Sequence, residues 1–166
     1  MDQDLIDALQ DQFNKERQNA QFYFELASEA DNANWPGTAK FFKASAYEEL
    51  QHSDWFGGFL IARNVLPRYD AIPQIPSVAG DSLVAWFEAA LAKEKETTAA
   101  ISALHEMADD DVSDPQTIAF LKEPLDEQTK SELEITDILK ELRRSGPDGW
   151  IVLDQKYGEM KDGNEN

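Results

Sequence analysis

Glu49-Leu50-Gln51-His52 sets a carboxylate and an imidazole three residues apart, using one of only two histidines in the 166-residue chain. Three residues apart on a helix, the two side chains lie on one face and can approach the same ion, and a carboxylate with two oxygens can bridge a second. Taken alone, the spacing is equally that of a charged, exposed helical turn. Glu16 makes a stronger case. Phe13 and Ala20 flank it at i−3 and i+4, which puts it on an apolar stripe where a charge is costly unless it is paired or metal-bound. Lys15 or Arg17 could instead draw it to solvent. Tyr23, two turns further on, shares that face and is either a phenol at the site or a packed core tyrosine. In Lys93-Glu94-Lys95-Glu96, extending the stripe from Phe87 and Leu91 to Ile101 turns Glu94 inward and Glu96 outward. Glu127 and Gln128 lie in mid-segment further along. The second histidine, His105, falls near a helix end beside Glu106 and reads as a surface or dipole-capping residue.

The chain has no cysteine, so a metal here would be held by carboxylate, imidazole or amide groups, which favours hard or borderline cations. A formal charge of −18 argues against nucleic-acid and anionic-membrane partners and suits cations, although acidity also serves solubility. There is no serine–histidine–acid arrangement, phosphate-binding glycine loop or basic patch. Neither a basic leader followed by an apolar run nor a membrane-length apolar stretch occurs, so a cytoplasmic protein is expected.

These residues need long helices to bring them together. Apolar spacing predicts a first helix from Leu5 to about Ala30 and a second from Thr38 to about Asn64, with Gly57-Gly58 permitting a close helix contact. Residues 65–80 hold Pro67, Pro73, Pro76 and Gly80 and cannot be helix interior. An extended segment of that length spans roughly 50 Å, so the third helix can start at the far end of the bundle and run parallel to the second. Asp81 is its expected N-cap and the acidic turn Asp109 to Asp111 its end. Asp114-Pro115 opens a fourth helix that runs to Arg144, with a kink expected near Pro124 and a stop at Gly146-Pro147. A short fifth helix follows from Trp150 to about Gly158. The expected organisation is thus one all-α domain over 1–158, a four-helix bundle with a long crossover, followed by a mobile acidic tail over 159–166.

The motifs on these helices resemble those of the non-haem ferritins. "FNKERQNAQFYF" is similar to that family's N-E-x(6)-Y through Asn14, Glu16 and Tyr23. "EELQH" is similar to E-E-x-x-H, Glu94 stands at the third-helix glutamate, and "DEQTKSE" resembles E-Q-x-x-[AS] with Gln128 at the site. "LRRSGPDGWIVLDQKYGEM" resembles the glycine turn and fifth helix. A second Glu-x-x-His is missing from the fourth helix, unlike bacterioferritins and rubrerythrins, and Lys130 and Ser131 stand where many bacterial ferritins place third-site glutamates. The resemblance is therefore to the two-metal centre of animal H chains and some cyanobacterial ferritins. Ala44, Tyr47 and Gln51 replace the mineral-nucleating acids of animal H chains, leaving Glu48 and Asp54, and Asp109 to Asp111, Asp114 and Glu123 are the channel candidates.

The resemblance implies an iron-storage protein that oxidises Fe(II) with O2 or peroxide at a di-iron centre, without haem, inside a 24-mer cage of identical chains. It implies that Glu16 and His52 bind the first metal, Glu49 bridges and Glu94 holds the second. Gln128 would hydrogen-bond a bound water or oxygen species, Tyr23 would supply an electron or a hydrogen bond, and Glu48 and Glu127 would be secondary metal groups. A ferritin-like di-iron or di-manganese oxidase or peroxidase that stores no mineral is the alternative.

Overall fold

The computed structural model describes residues 2–78, 82–110 and 114–161. Its elements are α1 (Gln3–Asn32), α2 (Pro36–Ala62), α3 (Leu83–Asp110), α4 (Pro115–Ser145), a 3-10 turn (Pro147–Gly149) and α5 (Trp150–Met160). Asp81 and Asp111, expected at the two ends of α3, lie outside the described residues.

Local chemistry explains most boundaries. Asp2 caps α1 by accepting from the Asp4 N–H, and Asp114 caps α4 by accepting from Gln116 and Thr117 N–H groups, with Pro115 in the first turn. Asn34 and Asn64, with φ of 64° and 59°, take the left-handed conformation just beyond α1 and α2 that ends a helix. Gly146 ends α4 differently, at φ 65° and ψ 179°, an extended positive-φ conformation open essentially only to glycine. The second helix starts at Pro36, two residues before the expected Thr38, because its cap is not local. Trp35 supplies no side-chain hydrogen bond. Asp154 of α5 instead accepts from Gly37 N–H at 3.0 Å and Thr38 N–H at 2.7 Å. A Cβ on Gly37 would fall 1.9 Å from the Asp154 carbonyl oxygen, so only glycine lets α5 approach this closely.

Phe41 and Phe42 near the start of α2 pack on Phe87 near the start of α3, while Phe56 and Phe59 near the end of α2 pack on Phe120 near the start of α4. Helices α2 and α3 therefore run parallel and α4 antiparallel to them, the topology the long crossover allows. The crossover is held to α1 by side chains that imitate a strand partner. Gln10 donates to Arg68 O at 2.7 Å and accepts from Arg68 N–H at 2.9 Å, and Asn14 accepts from Asp70 N–H at 3.0 Å. Glu29 takes the far end, accepting from Ser77, Val78 N–H and the Trp86 indole. Of the glycine pair in α2, Gly57 makes the expected close contact, its Cβ position lying 3.1 Å from Phe13; Gly58 is open.

Among the described residues the core has two apolar parts. One joins Leu26, Phe42, Phe87 and Leu139, and the other joins Leu9, Phe56, Ile101 and Leu121. Buried polar side chains lie at the helix positions between them, among them Glu16, Glu49, Glu94 and Gln128. Pro124 lies inside the continuous α4. Helix α5 runs to Met160, two residues past the expected Gly158, and Lys161 is buried against Glu48 and Glu134, 3.0 Å from each. Residues 162–166, the rest of the expected tail, lie outside the described residues.

Candidate metal centre

Each helix brings one or more polar residues to the middle of the bundle. Glu16, Glu49, Glu94 and Gln128 are 1%, 4%, 3% and 1% exposed. Among the described residues no lysine or arginine forms an ion pair with the three glutamates. Burial of carboxylates at this depth without cations is expensive, and the cost appears in their proton affinities. Glu49 is pushed up to about 8, first by burial and then by the charge of Glu94. Glu16 is raised well above the ordinary carboxylate range, first by burial and then by Glu49. The Glu16 and Glu49 carboxyls lie close together and each raises the cost of charging this buried spot, so the metal-free pair holds a proton near neutral pH.

One ligand atom from each of Glu16, Glu49 and His52 falls within a mutual distance of 4.8 Å, which a single cation can span. His52 Nδ1 lies 3.6 Å from Glu49 Oε2, and its ring packs on Trp55 with 4.9 Å between centroids. Glu94 stands outside this cluster and is held differently. It accepts short hydrogen bonds from the Tyr23 hydroxyl and, at 2.8 Å, from Gln128 Nε2. Those two bonds favour its charged form, while burial still raises its pKa overall. Tyr23 is a buried phenol raised well above its ordinary value by burial and then by Glu94.

The family model described as "Ferritin-like domain" matches residues 6–145. The chain belongs to the ferritin family. It is 32% identical over 148 residues to the bacterial non-heme ferritin of Staphylococcus haemolyticus, covering 89% of this chain and 88% of that one. The Staphylococcus aureus (strain MRSA252) protein is 31% identical over the same length. Among solved structures, an open pore ferritin from the archaeon Archaeoglobus fulgidus superposes with a TM-score of 0.91 at 29% identity, covering 95% of this chain and 98% of that one. A closed form engineered from the same archaeal ferritin gives 0.90 at 29% identity, covering 95% and 96%.

Within this ferritin-family bundle, the secondary candidates sit apart from the cluster. Glu48 is paired with Lys161 and Glu127 with Lys130 at 2.6 Å. Asp114, a channel candidate, caps α4 and holds Arg63 through both oxygens at 3.0 and 2.5 Å. His105 is only half-buried, at the other end of α3. Three residues that support the site were not singled out from sequence. Gln12 donates to Glu16 at 2.7 Å, and Asn19 Nδ2 donates to Thr97 Oγ1 at 3.0 Å while reaching Glu16 at 3.3 Å and Glu49 at 3.4 Å. Their signal was present: Gln12 and Asn19 are at i−4 and i+3 from Glu16, and Thr97 is at i+3 from Glu94.

Proposed function

We propose that this ferritin-family chain oxidises Fe(II) to Fe(III) at a two-metal site within one subunit and stores the product as ferric mineral in a cage of identical subunits, by resemblance a 24-mer. The observation that carries this reading is the convergence of Glu16, Glu49 and His52 in the interior, with no lysine or arginine paired to the carboxylates among the described residues, beside a fourth ligand group, Glu94. Iron is the substrate. Glu16 and His52 take the first Fe(II), Glu49 bridges, and Glu94 takes the second after giving up its hydrogen bond to Tyr23 or Gln128.

The chemistry balances over two metals. Two Fe(II) give up one electron each, and O2 takes those two electrons and two protons to leave as hydrogen peroxide. Cation binding displaces the proton held by Glu16 and Glu49, which supplies part of that demand. Carboxylates are hard ligands that favour Fe(III). Gln128 positions a bound water or oxygen species, and Tyr23 is placed to donate a hydrogen bond or an electron next to Glu94. The charge of −18 concentrates Fe(II) around the protein. Large exposed apolar side chains, Ile61, Leu66 and Tyr69 on one side and Ile151 and Val152 on α5, support burial against further subunits.

Stopped-flow oxidation of two Fe(II) per chain tests the site, and size-exclusion chromatography tests the cage. Oxidation as fast in Glu49→Ala as in the wild type contradicts the site. A monomer or dimer in solution contradicts storage and leaves a non-storing di-iron or di-manganese oxidase or peroxidase.

A further inference from the structure

Two cavities flank the buried carboxylates, and their linings differ in charge. A groove of about 1470 Å³ along α2 and α4 is lined by His52 itself, by six acids that include Asp54, Glu123 and Glu134, and by four lysines, so acids outnumber cations there. A second cavity of about 490 Å³ lies between α1, α3 and crossover residues 75–78. Its walls are mainly apolar, with Phe22, Ile75, Val78, Ala89 and Ala100, and its charged residues are Lys15, Lys93 and Glu96. Lys93 pairs with Glu96 at 2.9 Å and lies 5.6 Å from the centre of the Phe22 ring. In a chain with a net charge of −18, an opening with two lysines and one glutamate is unsuited to a divalent cation.

The floor of this second cavity includes Asn19 and Thr97, the same two side chains that brace the site. Asn19 Nδ2 bonds Thr97 Oγ1 at 3.0 Å on one side and reaches Glu16 and Glu49 on the other. The Thr97 hydroxyl in turn donates to the Lys93 carbonyl at 3.1 Å. The layer between cavity and carboxylates is therefore one side chain thick and uncharged.

We propose that this cavity is the port through which dioxygen reaches the carboxylate site, while Fe(II) approaches from the opposite, His52-lined groove. The proposal rests on the Fe(II)-oxidising reading above. A neutral diatomic molecule crosses an apolar wall without the desolvation cost a cation would pay, and its small size lets it pass the Asn19–Thr97 layer by side-chain motion alone. Separate approaches keep the metals on their ligands while the oxidant arrives from the other wall.

Ala100→Phe, and Ala89→Phe three turns earlier on the same α3 wall, would fill the cavity without changing Asn19, Thr97 or any candidate ligand. Xenon-pressurised crystals are expected to show xenon in the wild-type cavity and none in either variant. Anaerobic Co(II) binding should match the wild type, and the apparent KM for O2 in Fe(II) oxidation should rise roughly tenfold, the effect falling on KM rather than kcat. A wild-type cavity without xenon, or an unchanged KM for O2 in both variants, overturns the port while leaving the ferroxidase reading intact. A loss of rate that only follows a loss of Co(II) binding overturns it too. A wild-type protein that takes up xenon but does not oxidise Fe(II) overturns the ferroxidase reading, and the port with it.

Discussion

The two halves of the buried site use the same residue type at the same depth and treat it differently. On α1 and α2, Glu16 and Glu49 face each other and His52, the hydrogen-bond donors to them among the described residues are amides, and burial drives them to hold a proton. On α3, Glu94 is already satisfied by Tyr23 and Gln128. Burial alone therefore does not make a metal ligand. A carboxylate whose neighbours leave it under-satisfied gains most from a cation, and one with two donors must surrender a hydrogen bond first. On the two-metal reading proposed above, unequal occupancy is expected, with the α1/α2 half filling before the α3 half.

The largest effect should come from the residue both halves share. Glu49→Ala is expected to slow Fe(II) oxidation by about 100-fold or more in stopped-flow, since the proposed site gives Glu49 the bridging position. His52→Ala and Gln128→Ala separate the halves. Anaerobic titration should show a loss on the order of 10- to 100-fold in first-metal affinity for His52→Ala, and a first metal bound as in the wild type for Gln128→Ala. Equal losses in both variants would mean the halves do not differ.

The pH dependence of the metal-free protein sharpens the same contrast. Glu49 is held at about 8 against an ordinary value of 4.5, so the folded state keeps a proton that the unfolded chain releases. Folding stability is then fully present below the unfolded value, falls as pH rises through this window and levels off above about 8. Asp114, held at about 2 chiefly by the Arg63 hydrogen bonds, acts with the opposite sign and only in acid, its contribution being lost as pH falls below the ordinary carboxylate range. Thermal melts between about pH 5 and pH 8 should therefore show a declining Tm, flattened more by Glu49→Gln than by Glu94→Gln, because Tyr23 and Gln128 already favour the Glu94 anion. The smallest change is expected from Tyr23→Phe. It leaves Gln128 on Glu94 and should cost about 1 kcal/mol or less in denaturant unfolding.

The bundle was readable in sequence because apolar spacing, prolines and caps all agree on the same four helices, and the length of the crossover allowed α2 and α3 to run parallel. Glu16 was readable because a charge on an apolar stripe is conspicuous, whereas Glu49 rested on its spacing from His52 and on the family motif. Gln12, Asn19 and Thr97 were not, since neutral polar residues at helical spacing look the same whether they face solvent or a buried carboxylate. The start of α2 was misplaced by two residues for a related reason: its cap, Asp154, is 117 positions from Gly37 in sequence and reaches it only through the docking of α5. Lys161 fell in the expected tail because its partners Glu48 and Glu134 lie on α2 and α4.

The most direct test of the two-metal site is anomalous diffraction at the iron edge from crystals loaded anaerobically with Fe(II). Two iron peaks per chain are expected, the stronger bound by Glu16, Glu49 and His52 and the weaker between Glu49 and Glu94. A single peak at full loading, or peaks only at Glu48 or Glu127, would contradict it.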